Sequence, residues 1–68
     1  MKIQKGYMLI HFTKKCVNLD LWSNIKEELQ DDLTSLISKK KDAKIVPLFK
    51  DGEKEYLEIA TGNFVRIQ

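Results

Sequence analysis

The spacing of apolar positions changes several times along the chain, and each change marks an element. Tyr7, Met8, Leu9 and Ile10 form a short apolar run within Gly6–Phe12, which reads as a strand. Val17, Leu19 and Leu21 alternate with Asn18 and Asp20, the period of a second short strand, although Thr13-Lys14-Lys15 between them is weak turn chemistry. From Trp22 the period lengthens. Trp22, Ile25, Leu29, Leu33, Leu36 and Ile37 fall on one stripe at helical spacing. Asn24 with Glu27 offers a capping box, and Asp20 is an alternative cap one turn earlier. Continuing the helix would carry Lys40 into the stripe, so it should end near Ser38–Lys40. The lysines that follow then meet the negative end of the helix dipole.

The remainder reads as a three-stranded antiparallel meander, Lys44–Lys50, Glu53–Ala60 and Phe64–Ile67. Asp51-Gly52 is a strong type I′ hairpin signal and pairs Lys50 with Glu53, Leu48 with Glu55 and Val46 with Leu57. Pro47 then sits opposite Tyr56, tolerable at a sheet edge or beside a break in pairing. A three-residue loop, Thr61-Gly62-Asn63, pairs Ile59 with Val65, Leu57 with Ile67 and Glu58 with Arg66. It gathers Val46, Leu48, Leu57, Ile59, Val65 and Ile67 on one aliphatic face, which the helix is expected to cover. The predicted fold is thus α+β, a single small domain in β(β)αβββ order over residues 1–68, with one amphipathic helix packed on an antiparallel sheet.

The opposite face of the meander collects Ile45, Pro47, Phe49, Tyr56, Phe64 and Arg66, with Lys54 and Glu58. Phe49, Tyr56, Phe64 and Arg66 are the candidate partner-binding residues, because aromatics and arginine dominate interface energetics. Burial under residues 1–12, or against a second copy of the chain, would satisfy the same rings.

Composition narrows the function classes. A chain of 68 residues, 43% hydrophobic and 32% charged, has one modest core and gains from self-association. Cys16 is the only cysteine, so no intramolecular disulfide forms, and a free thiol fits a reducing, cytoplasmic setting. The run Tyr7–Phe12 is too short to span a membrane and has no cleavage-site pattern. A net charge of +2 says little, but its arrangement is segregated. Residues 1–19 carry four lysines and no acid, residues 20–38 carry Asp20, Glu27, Glu28, Asp31 and Asp32 against Lys26, and Lys39, Lys40, Lys41 and Lys44 follow.

The helix acids are like-charge neighbours at i,i+4, Glu27 with Asp31 and Glu28 with Asp32. A solvated face beside the positive end of the helix dipole accounts for them. An acidic docking surface for a basic partner is the alternative. The lysine groups suit C-capping and solubility, and with Arg66 as the only arginine, phosphate or base readout is the lesser expectation. His11, Cys16 and Asp20 hold the residue types of a nucleophile, base and orienting acid, but no Gly-rich turn surrounds Cys16. One His and one Cys fall short of a zinc site, and no phosphate loop or dinucleotide fingerprint is present.

The expectation is a non-enzymatic protein with no catalytic residue, metal, cofactor, membrane contact or small-molecule substrate. It acts as a regulator or adaptor by binding a protein partner. Its size and lysine bias are similar to those of short phage or mobile-element proteins that modulate a host machine by binding it, a similarity that covers no motif. A single-stranded nucleic-acid module using the aromatic face plus lysines is the second reading, and a structural homodimer the third.

Overall fold

In the computed structural model, which describes residues 1–67, one helix packs on a five-stranded antiparallel sheet. The strands are β1 (Ile3–Phe12), β2 (Val17–Ser23), β3 (Asp42–Asp51), β4 (Lys54–Ala60) and β5 (Asn63–Arg66), in spatial order β2-β1-β3-β4-β5. Between β2 and β3 the chain makes a 3-10 turn, Lys26–Leu29, that runs into α1, Gln30–Ser38. The α+β layout and strand-helix-strand order are those the sequence predicts.

Several local expectations are corrected. β1 begins at Ile3 rather than Gly6, because Ile3 and Gln4 extend the pairing with Lys50 and Phe49 of β3 past a bulge at Lys5. β2 continues to Ser23, so Trp22 is a strand residue opposite Met8 and not the first residue of the helical stripe. The helix has no Asn24–Glu27 capping box. The Ser23 hydroxyl instead accepts the Ile25 N–H at 3.1 Å and donates to Glu28 Oε1 at 2.6 Å. Asp20, the other candidate cap, is a bulged residue held by His11.

The helix ends where the stripe demands. Lys40 adopts φ 62°, its N–H donates to the Ile37 carbonyl, and the Lys41 N–H donates to the Leu36 carbonyl. That pair of bonds is a Schellman motif, with a lysine in the left-handed position usually given to glycine.

Both meander registers slip by two residues from the expected ones. Asp51 pairs with Lys54, leaving Gly52-Glu53 as the loop, and Leu48 pairs with Leu57. Gly52, at φ 64°, is the first central residue, the II′ arrangement rather than I′. β4 and β5 join through a two-residue loop, Thr61-Gly62, in place of three residues, with a bulge at Ile59. Leu57 consequently pairs with Val65, Tyr56 with Arg66 and Glu58 with Phe64. The expected Glu58–Arg66 pairing does not form, and the Glu58 carboxylate accepts the Gly62 N–H at 2.9 Å. A two-residue slip restores every side chain to its original face, since the strand period is two.

The face the helix covers is also corrected. Ile10, Val46, Leu48 and Leu57 form the buried aliphatic cluster, backed by Met8, Phe12, Val17, Ile59 and Ile67. The helix lies on the other side. Its Leu29 is wholly buried, as is Leu9, which alternates with Ile10 along β1 and pairs with Leu21 and Ile45. Leu9 and Leu21 line a groove with Asp32, Ser35 and Leu36 of the helix. With the helix opposite, Ile10 and Leu57 are still fully buried, so the sheet closes over its own aliphatic face.

Pro47 helps explain how. Pairing between β3 and β4 stops at Leu48, next to a proline that has no N–H to give, while Pro47 still lies against Tyr7 of β1. Beyond that break, the Lys44 ammonium donates to the Ile59 carbonyl and sits 5.7 Å from the Phe12 ring centre.

Candidate functional site

The four residues expected to form the partner surface come together. Phe49 of β3 lies opposite Tyr56 of β4, and Arg66 of β5 lies opposite Tyr56 on its other side. The Phe49 and Phe64 rings meet edge to face, centroids 5.5 Å apart at 77°. Phe49 and Tyr56 are half-buried and Phe64 is 40% exposed. These rings share a face with Leu9 and Ile45, where the helix sits, but they lie along it toward the Asp51 hairpin.

The amino-terminal segment adds a cation that sequence reasoning missed. The Lys2 ammonium lies 5.2 Å from the Tyr56 ring centre and 4.8 Å from that of Phe64, within cation–π range. Lys2 belongs to no periodic segment, and only the β1–β3 extension brings it there. The Met1 ammonium donates to Asp51 Oδ1 at 3.0 Å, and that ion-paired hydrogen bond holds the Asp51 carboxyl below the ordinary aspartate range. Residues 1–4 thus frame the aromatic patch and set Lys2 over it, leaving Phe64 40% exposed.

The acidic candidates divide. Glu27 and Glu28 lie in the 3-10 turn and Asp31 and Asp32 in the first turn of α1. Glu28 is taken up by Ser23. Asp32 borders the groove between the helix and the β1–β2 pair. Like charges accumulate here where two successive helix starts present positive dipole ends.

His11 and Asp20 do meet, Nδ1 to Oδ2 at 2.6 Å across the β1–β2 bulge. Cys16 sits at the intervening turn, with its sulfur 3.2 Å from Thr13 Oγ1 and 3.9 Å from Asn18 Oδ1. The pair ties the bulge, and the thiol belongs to the turn's own hydrogen-bond set. Among the described residues no group of three or more His, Cys, Asp or Glu side chains could hold a metal ion. Among the described residues no helix is long and apolar enough to cross a membrane.

A second surface was not foreseen. Leu19, Leu21, Trp22 and Ile25 are each between 44% and 49% exposed, and all lie on or just after β2, an edge of the sheet. The alternation in Val17–Leu21 marked a strand, but nothing in it marked an edge.

The class the geometry defines is a small α+β protein with one helix on a five-stranded antiparallel sheet and two exposed apolar surfaces. No family model, curated protein or solved structure matches the chain.

Proposed function

We propose that this chain is a non-catalytic regulator or adaptor, working in the cytoplasm, that binds a protein partner through Phe49, Tyr56, Phe64 and Arg66. The observation that supports this reading is the clustering of three aromatic rings beside the helix. The rings carry two flanking cations, Lys2 and Arg66, and Phe64 faces solvent. A chain this small gains little stability from a half-exposed aromatic cluster, whereas rings and arginine are the groups that anchor interfaces.

Lys2 over the rings also favours a second reading. Aromatic platforms flanked by cations stack the bases of single-stranded nucleic acid. The two readings separate by salt and by nuclease. The Tyr56→Ser/Phe64→Ser double variant should keep its circular dichroism spectrum and lose capture of a defined partner from source-cell extract. That capture should survive nuclease treatment. Binding to a random single-stranded oligonucleotide that weakens steeply with salt would favour the second reading. A double variant that stays folded and still captures the partner would place the site elsewhere.

A further inference from the structure

We infer that the β2 edge is a self-association surface on which a second copy of this chain docks antiparallel, about a two-fold axis. This inference concerns a different surface from the aromatic patch and does not rest on the function proposed for it.

The first observation is the edge itself. β2 is the terminal strand of the sheet, so one side of its backbone has no strand beside it. Natural sheets protect such edges with charged side chains or bulges, and an apolar edge is a template for pairing. β2 has one such feature, the bulge at Asp20, whose carboxylate is held by His11. Here Leu19 and Trp22 lie on the aliphatic face of the edge strand and Leu21 on its helix face, each nearly half exposed, with Ile25 just beyond. The other edge, β5, is four residues long, against seven for β2.

The second observation names the occupant. The charge segregation of the sequence becomes a separation in space along β2. At its start lies the Thr13–Cys16 turn, with Lys14 and Lys15. The end of the helix is close to that turn, because Asp42, just after Lys39, Lys40 and Lys41, pairs with Phe12. Beyond the end of β2 stand Glu27, Glu28 and Asp31 at the start of the helical segment. Among the described residues, Lys14, Lys15, Glu27 and Asp31 make no ion pair within the chain.

An antiparallel two-fold pairing lays the start of one β2 against the end of the other. The basic pole of each copy then meets the acidic pole of its partner, twice. A parallel arrangement would set like charges together. An edge that is electrostatically complementary to itself under two-fold symmetry is fitted to a second copy of the same chain. It also gives the unpaired i,i+4 acids a role. The four exposed side chains offer roughly 400 Å² of apolar surface per copy, about half of the ~800 Å² a standard interface buries on each partner, which is the usual apolar share.

The test is the mass in solution, by light scattering or sedimentation, in low salt at hundreds of micromolar protein. The wild type should weigh twice the 8.0 kDa of one chain. Charge reversal at one pole, Lys14→Glu/Lys15→Glu, should weaken the dimer by about tenfold or more, as should reversal at the other, Glu27→Lys/Asp31→Lys. Mixing the two variants should restore it, since every contact across the axis becomes complementary again. Circular dichroism checks that each variant is folded. Should one fail to fold, Leu19→Lys on the exposed edge serves instead, and it should yield monomer. Tyr56→Ser/Phe64→Ser should leave the dimer intact. A monomeric wild type, a dimer indifferent to these reversals, a mixture that stays monomeric, or a dimer lost with the aromatic rings would each overturn the inference.

Discussion

The two faces of this sheet are stabilised in different ways. The aliphatic face has no helix, yet Ile10 and Leu57 are fully buried there. The opposite face has the helix, yet only Leu9 and Leu29 are fully buried between them, while Leu33 and Leu36 are partly buried and Ile25 and Ile37 exposed. A sheet curled on itself thus makes the tighter core, and of the five apolar stripe residues left after Trp22 joins β2, only Leu29, Leu33 and Leu36 are covered. The difference teaches that a helical stripe records where contact is available, and that strand curvature decides how much of it is taken.

That contrast can be broken from the sheet side first. Leu57→Ala removes a fully buried side chain from the closed face and should cost about 2–5 kcal/mol, enough to unfold much of a domain this size. Leu33→Ala, on the helix, should cost less, about 1–2 kcal/mol, because its side chain is only partly buried. Urea melts of both variants measure the gap, and equal losses would place the two residues in one core.

Gly6→Ala probes the join between the regions. Gly6 holds φ 140°, and an added Cβ would lie 2.7 Å from the Ser23 carbonyl oxygen and 2.9 Å from Trp22 Nε1. Backbone strain and the clash together should cost roughly 2–3 kcal/mol, seen as a drop in the urea midpoint. Because β2 carries the load, the edge amides of β2 should lose hydrogen-exchange protection before those of β4.

Much of this was legible in the sequence. The period changes located every element, and the composition of the faces survived both register errors because each slip was by two. Phe49, Tyr56, Phe64 and Arg66 were therefore placed together correctly although none of their pairings was. Pro47 was read as marking either a sheet edge or a break in pairing; β3 is central, and the break is what it borders. The side the helix would take was not legible, since both faces of the sheet are largely apolar and binary pattern cannot choose between them. Trp22 and Ile25 matched helical spacing by coincidence of a strand running into a helical turn. The bulge at Asp20 depends on a His11 contact nine residues away, and Lys2 depends on pairing with β3, forty-odd positions distant; neither leaves a local mark.

The most direct test of the two-face arrangement is a methyl-to-methyl nuclear Overhauser measurement on Leu29. With the helix on the Leu9 side, Leu29 methyls should show cross-peaks to Leu9 and none to Val46 or Leu57. Cross-peaks from Leu29 to Val46 or Leu57 would put the helix on the aliphatic face, leave Leu9 uncovered, and contradict the arrangement from which both proposed surfaces follow.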